Sequence, residues 1–453
     1  MPELRTASGL RVIDPPDVQT ARLRRRMHSP LCGLMPQLGY LMRSRGGPRM
    51  IVSGADLTGV HVVRGQPRPK VGSYHIGGYG TRPYESQIRT LGEVAERYAG
   101  YMGHLNRRLP VTFVPASELP GPYLDPTLVT PFADDQYAAA GFPFVRPRSG
   151  APYGWARARD LATAEQTWVP AQHLLVGYVV RDLEGEPWTQ AAVSTGTAAH
   201  TGPDRAALGA LHEIIQIDAT MGHWYGAGRS IRILAGRRTA AVDRILRRHL
   251  DPAAPPAEFH LLPSPDLPGF TIACILRERG GQLPAVAVGL GADALLEPAM
   301  YKAFLEAVGV RQLAIWVSVT DRIDGTPAGP ELAGDKMFDL ESNVAYAATT
   351  AGSQVVEERF ASCTPASCDD LPADLVQPPE QLVKTLVAAF TGTGKRLYAV
   401  DITTADIAAL GFVVARFYCP HTLPLSLPGA PMAGHPRYAD FGGIRRRAPH
   451  PYP

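Results

Sequence analysis

The sequence lacks any marked excess of charge of one sign. It contains 45 basic and 42 acidic residues, which leaves a formal net charge of +3. A balance this even does not favour nucleic acid or an anionic membrane surface as a partner. The sequence also lacks an unbroken apolar run of roughly 18 residues and the hydrophobic core of a signal peptide, so we expect no transmembrane helix. These absences predict a cytoplasmic protein that binds neither nucleic acid nor membrane.

Cysteine is scarce and forms no metal-binding pattern. The five cysteines are Cys32, Cys274, Cys363, Cys368 and Cys419. The two Cys-x-x-Cys pairs of a zinc ribbon are absent, and Cys363 and Cys368 are the only two that lie close in sequence. We expect free thiols in a reducing compartment. A local disulfide between Cys363 and Cys368 is the alternative.

Glycine and proline are abundant, with 45 and 43 residues in a chain of 453, and they imply many loops. A hydrophobic content of 45% and a charged content of 19% are typical of globular proteins. Helical and strand patterns interleave to the end of the chain, which predicts an α+β protein. The strands we expect include residues 61–63 and the apolar run at residues 174–180.

The most informative stretch, residues 86–98, follows a glycine-rich run at residues 76–81. Its apolar residues recur every three or four positions, which predicts an amphipathic helix. The predicted buried stripe comprises Ile88, Leu91, Ala95, Tyr98 and Met102. Glu93 and Glu96 share the opposite face. Two carboxylates on one helical face can hold a hard divalent cation, and polyphosphate chemistry requires such a cation. A solvated helix face is the alternative.

The same pattern returns at an offset of 120 residues, where a run of small residues at 194–201 precedes a second helical stretch at 205–218. The corresponding residues are Leu91 and Leu211, Glu93 and Glu213, and Glu96 and Gln216. The second predicted stripe comprises Leu208, Leu211 and Ile215. A fainter third copy has small residues at 288–292 and a helical stretch at 303–307 that contains Glu306. Two matching helices predict a site built between them.

An arginine interrupts an apolar strand late in the chain. Arg416 lies in the predicted strand at residues 412–418. A buried arginine usually pairs with a carboxylate, but its planar fork also binds phosphate oxygens, so both partners stay open.

Residues 391–396, Thr-Gly-Thr-Gly-Lys-Arg, are similar to a phosphate-binding loop. However, the predicted order is helix before and strand after, the reverse of a P-loop, and the following Ser or Thr is absent. We therefore predict an ordinary turn between a helix and a strand.

The two acidic helices and the chain end resemble the YcaO proteins. Glu93-x-x-Glu96-Arg97 after a glycine-rich loop resembles the first signature helix of the family, and Glu213-x-x-Gln216-x-Asp218 resembles the second. Residues 399–425 look like the family's late strand–helix–strand. Residues 449–453, Pro-His-Pro-Tyr-Pro, resemble the Pro-x-Pro-x-Pro terminus of the azoline-forming branch. The resemblance covers roughly residues 60–453.

The resemblance implies an α+β YcaO fold, in which mixed sheets and packed helices form a central cleft for ATP and Mg2+. It also implies an N-terminal segment at residues 1–60, a catalytic domain at 61–430 and a tail at 431–453. The implied reaction is the ATP- and Mg2+-dependent cyclodehydration of Cys, Ser or Thr in a ribosomally made precursor peptide, which gives thiazoline or oxazoline. The backbone amide oxygen is phosphorylated and then leaves as phosphate.

The resemblance also implies roles for individual residues. The expected ATP-binding residues are Glu93, Glu96, Arg97, Glu213, Gln216 and Arg416. The expected metal ligands are Glu93, Glu96, Glu213 and Gln216. The expected catalytic residues are Pro449, Pro451 and Pro453.

The tail has a physical logic of its own. Alternating prolines favour an extended polyproline II segment, and five residues at about 3.1 Å each reach roughly 15 Å. This reach would bring the carboxylate of Pro453 into a cleft, where it orients groups or acts as a base. A frayed chain end is the alternative.

Two departures from the family pattern stand out. Gln216 and Ile217 replace the Glu-Arg of the usual second signature, and the glycine-rich loop has Tyr79 and Arg82 where a lysine is common. The first departure bears on the number of metal ions and on intrinsic activity.

The expected partners are the precursor peptide, a separate leader-binding protein that resembles ubiquitin-activating enzymes, and a second copy in a homodimer. Two alternatives to cyclodehydration remain. One is a thioamide- or amidine-forming YcaO enzyme, and the other is a catalytically weak scaffold that binds peptide or a partner protein.

Overall fold

The computed structural model describes residues 4–5, 11–12, 15–43, 46–63, 76–103, 109–252, 255–278, 283–325 and 340–453. Its helices are α1 Pro16–Met27, α2 Val60–Val63, α3 Pro83–Met102, α4 Asp134–Ala138, α5 Ala171–Leu174, α6 Pro203–Tyr225, α7 Ala240–His249, α8 Leu296–Asp324, α9 Leu340–Ala348, α10 Thr350–Ala361, α11 Pro379–Gly392 and α12 Ala405–Ala409. Its strands are β1 Leu4–Arg5, β2 Arg11–Val12, β3 Leu38–Leu41, β4 Ile51–Ala55, β5 Gly77–Gly80, β6 Thr112–Pro115, β7 Pro152–Asp160, β8 Gln166–Pro170, β9 Thr197–His200, β10 Ile231–Leu234, β11 Glu258–Leu261, β12 Phe270–Arg277, β13 Val286–Asp293, β14 Thr364–Ser367, β15 Tyr398–Asp401 and β16 Val413–Tyr418. The predicted α+β class is confirmed.

A five-stranded sheet with the order β13–β12–β11–β10–β14 carries two of the long helices. Strand β12 is apolar at nearly every position, as expected for a strand that is covered on both faces. Ile272 and Cys274 pack with side chains of α8. Ala273 and Ile275 point to the other face and pack with side chains of α6. The alternation of side chains along one strand therefore places α6 and α8 on opposite faces of the sheet.

Helix α8 lies unusually close to β13 because two glycines of that strand have no side chain. A Cβ atom at Gly289 would lie 1.9 Å from the Ala307 backbone nitrogen, and one at Gly291 would lie 2.4 Å from the Ala299 carbonyl oxygen. The stretch Leu296–Thr320 of this helix is long and apolar enough to cross a membrane, yet 56% of its apolar 18-residue window is buried inside the protein. Packing against the sheet accounts for its composition.

A six-stranded sheet contains the neighbouring strands β9 and β16, and Arg416 lies in β16. Its order is β6–β7–β15–β16–β9, with β8 paired to β7. Strands β9 and β16 are antiparallel, and Arg416 lies opposite Thr197. Phe417 and Ala198 pack on the α6 residue Leu211. Helix α6 is therefore shared between this sheet and the five-stranded one.

A three-stranded sheet, β3–β4–β5, supports the start of α3. The Ser53 hydroxyl of β4 lies 2.6 Å from the Ser86 hydroxyl and 2.7 Å from the Thr90 hydroxyl of α3. A Cβ atom at Gly78 of β5 would lie 2.2 Å from the Ser86 carbonyl oxygen. The glycine-rich run before α3 therefore lets this helix lie directly on the sheet.

Two predicted strands are wrong. Residues 61–63 belong to the short helix α2. Residues 174–180 are the end of α5 followed by irregular chain. In that segment the Gly177 amide donates to the Gly100 carbonyl oxygen at 3.2 Å, and a Cβ atom at Gly177 would lie 2.2 Å from the Tyr101 carbonyl oxygen. The chain therefore passes beneath the end of α3 instead of pairing with a strand.

The interpretation of residues 391–396 as an ordinary turn is confirmed. Helix α11 ends at Gly392, and β15 begins at Tyr398. The Lys395 ammonium group pairs with the Asp266 carboxylate, and this contact leaves the lysine in a structural role. The five cysteines lie in described parts of the chain, and all are free thiols.

Candidate active site

A cleft of about 1690 Å³ opens along the edge of β13, between α3, α6 and α8. Its walls include one face of each helix. Helix α3 contributes Glu85, Ile88, Arg89, Gly92, Glu93 and Glu96. Helix α6 contributes Leu208, His212 and Gln216, each four residues from the next, and α8 contributes Lys302, Leu305 and Glu306. Spacings of three and four residues are those of a single helical face. The two predicted acidic helices therefore face a common cavity.

The predicted buried stripes are correct in part. Leu91 and Ala95 of α3 are fully buried, and so is Leu211 of α6. Ile215 of α6 is 3% exposed. Ile88 and Leu208 instead line the cleft. The buried side of α3 is completed by Val94 and Ala99. Sequence periodicity identified both helices but assigned Ile88 and Leu208 to the buried faces, whereas both line the cleft. An apolar side chain fits the wall of a cleft as well as a core, so the pattern does not distinguish the two.

The carboxylates of α3 form an electrostatic cluster with Arg97. The Arg97 Nε atom donates to the Glu93 carboxylate at 2.8 Å, and each side chain is about one-quarter exposed. Burial raises the pKa of Glu96 well above its usual value, and the charges of Glu93 and Glu213 raise it further. Burial opposes the positive charge of Arg97, but Glu93, Glu96 and Glu213 together raise the pKa of Arg97. The structure therefore brings these four predicted site residues together.

Glu213 of α6 is held by backbone amides. Its carboxylate accepts hydrogen bonds from the Gly196 and Thr197 amides at 3.0 Å and 3.2 Å. Gly196 has a φ of +87°, and a Cβ atom there would lie 2.4 Å from the Phe417 carbonyl oxygen, so only glycine suits this position. Burial raises the pKa of Glu213 to about 7, although Arg97 opposes the shift. Glu213 therefore lies behind the cleft wall, while Gln216 forms part of that wall.

Arg416 organises the loop that holds Glu213. Its Nη2 atom donates to the His173 carbonyl oxygen at 2.8 Å and to the Val193 carbonyl oxygen at 3.1 Å. Its Nη1 atom donates to the Thr197 hydroxyl at 3.1 Å and to the Thr195 carbonyl oxygen. Its Nε atom is buried and has no partner among the described residues. Burial lowers the pKa of Arg416 to about 10, so the side chain remains a cation.

Glu306 belongs to the same site, although the sequence analysis did not place it among the candidates. It lines the cleft, and its pKa is raised to about 8 by burial and by the charges of Glu213 and Glu93. The faint third copy of the helix pattern already contained it. The small residues of that third copy form strand β13 instead of a loop. Tyr79 of β5 also lines the cleft.

The tail is docked and not frayed. His450 is completely buried, and Tyr452 is 1% exposed. His450 Nε2 lies 2.7 Å from the Ser426 carbonyl oxygen, and Asn343 Nδ2 donates to the Tyr452 carbonyl oxygen at 2.6 Å. The rings of Tyr452 and Trp224 make an edge contact with centroids 5.9 Å apart. Side-chain burial and hydrogen bonds therefore fix the last residues against the end of α6.

The three predicted catalytic prolines are not part of the cleft wall. The residues that line it include none of Pro449, Pro451 and Pro453. Burial raises the pKa of the Tyr452 hydroxyl, and the charge of Arg359 opposes the shift.

The acidic cluster is not a self-sufficient metal cage. Throughout the described ranges, no three His, Cys, Asp or Glu side chains are grouped closely enough to hold a metal ion. Mg2+ commonly takes only one or two protein carboxylates and completes its shell with waters and phosphate oxygens. This arrangement therefore suits an ion that arrives with a nucleotide.

The comparison with protein families decides the identity. Residues 77–423 match the model of the family described as YcaO cyclodehydratase, ATP- and Mg2+-binding. The chain belongs to the YcaO family. ATP and Mg2+ are therefore its cofactors, and the expected YcaO fold and family membership are confirmed. A search of the curated proteins finds no match.

Solved YcaO structures share the fold at low sequence identity. A heterocyclase in complex with substrate and cofactor matches with a TM-score of 0.67 and 16% identity over 97% of this chain and 57% of that one. YcaO from Methanopyrus kandleri bound with AMPPCP and Mg2+ matches with a TM-score of 0.60 and 16% identity over 96% and 94% of the two chains. The E. coli microcin synthetase McbBCD complex matches with a TM-score of 0.54 and 12% identity over 87% and 89%. This YcaO protein thus spans little more than half of the heterocyclase chain.

The residues of the cleft fit Mg2+ and ATP. Glu93, Glu96 and Gln216 offer oxygen donors along the two facing helices. The raised pKa values of Glu96 and Glu213 reflect buried negative charge for which Arg97 compensates only in part. A divalent cation bound there would supply the missing positive charge and lower these pKa values.

Proposed function

We propose that this YcaO protein is an ATP-dependent cyclodehydratase that converts Cys, Ser or Thr of a ribosomally made precursor peptide into thiazoline or oxazoline. The observation that carries the proposal is the Pro-x-Pro-x-Pro end docked against the last turn of α6, the helix that also contributes to the wall of the acidic cleft. A tail without a function in the site would gain little from the complete burial of His450 and from the near-complete burial of Tyr452.

In the proposed reaction, the thiol or hydroxyl of the substrate loses its proton and adds to the carbonyl carbon of the preceding residue. The resulting oxyanion accepts the γ-phosphoryl group of ATP, and ADP leaves. Phosphate then departs from carbon with the C–O electron pair, and the amide nitrogen loses its proton as the C=N bond of the ring forms. An oxide is a very poor leaving group and a phosphate is a good one, which is why the reaction consumes ATP. The protein contributes position and charge neutralisation.

We assign Glu93, Glu96, Glu213 and Gln216 to the metal site. Mg2+ held by these residues would neutralise the polyphosphate and the charge that develops during phosphoryl transfer. Glu93 and Glu96 present their carboxylates along the wall of the cleft, and Gln216 faces them with a neutral oxygen. Glu213 steadies the small-residue loop through its two amide hydrogen bonds.

Two arginines complete the proposed ATP site. Arg97 provides a positive charge next to Glu93. Arg416 has a buried Nε donor without a partner in the described chain, and this donor is available to a phosphate oxygen or to a water molecule that bridges to it. In the same proposal, Pro449 and Pro451 stiffen the tail, and the carboxylate of Pro453 orients the reacting groups or accepts a proton.

The proposed partners are a precursor peptide, a separate leader-binding protein that resembles ubiquitin-activating enzymes, and a second copy of the chain in a homodimer. Support for partner proteins comes from the structural match to the McbBCD complex, one structure of which has pro-MccB17 bound. We place the enzyme in the cytoplasm, where ATP, Mg2+ and new peptide are available.

The test is direct. The purified protein is incubated with a candidate precursor, its leader-binding partner, ATP and Mg2+, and the peptide is analysed by mass spectrometry. A cyclodehydratase removes the mass of one water per ring formed and releases phosphate. The exchange of oxygen for sulfur would instead identify a thioamide-forming enzyme, and unmodified peptide with tight binding would identify a scaffold.

Matched variants test whether the cleft binds ATP and Mg2+. Glu93→Gln and Glu96→Gln are expected to abolish Mg2+-dependent ATP binding, whereas Glu118→Gln, an exposed glutamate outside the cleft, leaves it unchanged. Removal of Pro453 alone should abolish ring formation while ATP binding persists. Ring formation at the wild-type rate after this truncation would contradict the role of the tail.

A further inference from the structure

Asn343 of α9 holds the chain end through its amide nitrogen. This Nδ2 atom donates to the Tyr452 carbonyl oxygen at 2.6 Å and lies 3.0 Å from His450 Nδ1. The Tyr452 carbonyl oxygen can only accept a hydrogen bond, so the nitrogen of the amide, and not its oxygen, faces the tail. Asn343 is completely buried. One buried side chain therefore contacts both His450 and Tyr452.

The ring of His450 completes this arrangement. Its Nε2 atom faces the Ser426 carbonyl oxygen at 2.7 Å and therefore carries the proton of the neutral ring. His450 Nδ1 is then an acceptor, and it takes hydrogen bonds from Asn343 at 3.0 Å and from the Tyr452 amide at 3.3 Å. Both backbone polar groups of Tyr452 are thus fixed, the N–H by His450 and the C=O by Asn343.

The hydrogen bond to the Tyr452 carbonyl oxygen determines where the chain ends. The peptide group between Tyr452 and Pro453 is planar, and the pyrrolidine ring holds φ of Pro453 at about −65°. Once this peptide plane is fixed, the carboxylate carbon of Pro453 has a fixed position, and the remaining rotation only turns the carboxylate about its own bond. Asn343 therefore sets the position of the terminal carboxylate through a single peptide plane.

Helix α9 is joined to the elements that form the cleft. Val344 and Ala348 of this helix pack in one apolar cluster with Val310 of α8 and Ala287 of β13. Helix α8 and strand β13 both contribute residues to the cleft wall. Because Asn343 directly precedes Val344, it connects the tail to the same packed framework that carries the cleft wall.

Apolar packing alone would bury the tail without fixing its direction. The Tyr452 ring makes its edge contact with Trp224 and stacks on the His450 ring with centroids 5.6 Å apart. The burial of apolar surface is non-directional, whereas a hydrogen bond weakens steeply as its angle departs from linear. The hydrogen bonds of Asn343 therefore supply orientation, although they leave its buried Oδ1 atom without a partner among the described residues.

We propose that Asn343 is a positioning residue for ring formation, which holds the Tyr452–Pro453 peptide group so that the terminal carboxylate meets the reacting groups. This inference rests on the proposed function, in which that carboxylate orients the reacting groups or accepts a proton. Asn343 is not among the residues of the cleft wall, so it acts through Pro453 and not on the substrate. A displacement of the carboxylate by about 1 Å lowers the rate by about 10²-fold.

The test compares the wild type with Asn343→Leu and Asn343→Asp on a precursor peptide in which the wild type forms rings. Leucine removes the donor at a similar volume. Aspartate keeps the shape but turns an oxygen toward the Tyr452 carbonyl oxygen, so it should be no better than leucine. In both variants the maximal rate of ring formation should fall by about 10²-fold. The KM for ATP and Mg2+-dependent ATP binding should stay unchanged, because the cleft wall is intact.

Two further variants separate positioning from a general loss of stability. Asn343→Gln keeps the amide on a side chain that is longer by one methylene group, so it should recover part of the rate lost in Asn343→Leu. Gln136→Leu removes another buried amide, which donates to the Pro431 carbonyl oxygen at 2.8 Å and lies outside the cleft wall. This control should lower the temperature of thermal unfolding and keep the wild-type rate of ring formation.

Hydrogen exchange supplies a readout that does not depend on catalysis. The Tyr452 amide donates to His450 Nδ1, whose position depends in turn on Asn343. In Asn343→Leu this amide should therefore exchange several-fold faster than in the wild type. The Trp224 amide in the last turn of α6 should exchange as it does in the wild type, which would show that the tail has loosened and the fold has not.

The outcomes are distinct. Wild-type rates in Asn343→Leu and Asn343→Asp overturn the inference, and so does a rate loss that follows entirely from weaker binding of ATP. An equal rate loss in Gln136→Leu also overturns it, since lower stability would then account for the effect. If the wild type forms no ring on any precursor, the proposed function fails and the inference fails with it. Ring formation that depends on Pro453 but not on Asn343 leaves the proposed function standing and removes only the positioning role.

Discussion

Arg437 and Asp218 form a fully buried ion pair that connects the C-terminal part of the chain to the second acidic helix. The Nη2 and Nε atoms of Arg437 donate to the two carboxylate oxygens of Asp218 at 2.6 Å and 3.1 Å. The same guanidinium group donates to Asp266 at 2.7 Å. The Asp218 carboxylate also accepts from the Leu423 amide at 2.9 Å. Asp218 of the second signature helix thus has a structural partner in the turn Pro436–Phe441, from which the tail departs.

Loss of this pair should be costly. Arg437→Met leaves Asp218 buried without its cation, and breaking a buried pair in this way typically costs about 3–5 kcal/mol. We expect a free energy of unfolding lower by that amount in urea denaturation. As a control, Arg447→Met removes an exposed pair with Asp135 in the same part of the chain, and exposed pairs are worth about 0–1 kcal/mol. Equal losses in both variants would contradict this prediction.

The Gln216 position offers a gain-of-charge experiment. Gln216→Glu restores a second carboxylate to α6, facing Glu93 and Glu96 across the cleft. We expect the Mg2+ concentration for half-maximal ATP binding to fall by roughly tenfold, or about 1.4 kcal/mol. Titration of Mg2+ at fixed ATP measures it. Gln172→Glu, a buried amide outside the cleft that donates to the Pro187 carbonyl oxygen, serves as the control for added negative charge. If Gln172→Glu lowered the Mg2+ concentration for half-maximal ATP binding as much as Gln216→Glu does, the effect would not be specific to position 216.

Loss of the hydroxyl group should affect the free energy of unfolding differently at two buried tyrosines. The Tyr452 hydroxyl has no partner within the described residues, so Tyr452→Phe removes an unsatisfied group and should leave the free energy of unfolding unchanged or raise it. The Tyr178 hydroxyl donates to the buried Glu186 carboxylate at 2.7 Å. Tyr178→Phe should therefore cost about 2 kcal/mol. Urea unfolding of both variants provides the measurement, and a large loss in Tyr452→Phe would show that its hydroxyl has a partner.

The docking of the tail should depend on pH. Burial lowers the pKa of His450 to about 4, whereas a released tail has the ordinary value of about 6.5. The released form therefore binds the proton first, so docking is fully stable above about pH 6.5 and weakens progressively as the pH falls toward 4, by up to about 3 kcal/mol. Hydrogen exchange at residues 449–453 at pH 7 and pH 5 measures the change.

His450→Gln isolates this effect from His173 and His223, whose pKa values are also lowered by burial. Glutamine does not titrate, and its amide can still donate toward the Ser426 carbonyl oxygen. The variant should show less pH dependence of tail exchange than the wild type over this range. Equal pH dependence in the two proteins would mean that other groups control the tail.

The cleft helices were predictable because their signal is local. The recurrence of apolar residues within α3 and α6 is a property of each helix, and the match between Glu93 and Glu213 needs only the sequence. The wrong strand at residues 174–180 shows the limit of the same method. A short apolar run carries no periodicity that separates a strand from irregular buried chain, and its course beneath α3 depends on Gly177 packing against Tyr101.

The contacts that complete the site join residues far apart in the chain. Arg437 and Asp218 are separated by 219 residues, and Arg416 and Thr197 by 219 as well. Such pairs leave no local pattern, because each side chain has a partner only after the sheets have formed. Glu306 was visible in the faint third copy, but its place in the cleft depends on the two glycines that bring α8 against β13.

The sequence by itself determined the α+β class, the two acidic helices, the family and the tail motif, since these are set by residue order and by periodicity along single elements. Only the tertiary structure decided which face of each helix meets the cleft, that the tail is buried, and that Glu306 joins the acidic cluster. The physical reason is that burial and charge act through space. They are settled by which elements pack together, and that packing depends on contacts between distant parts of the chain.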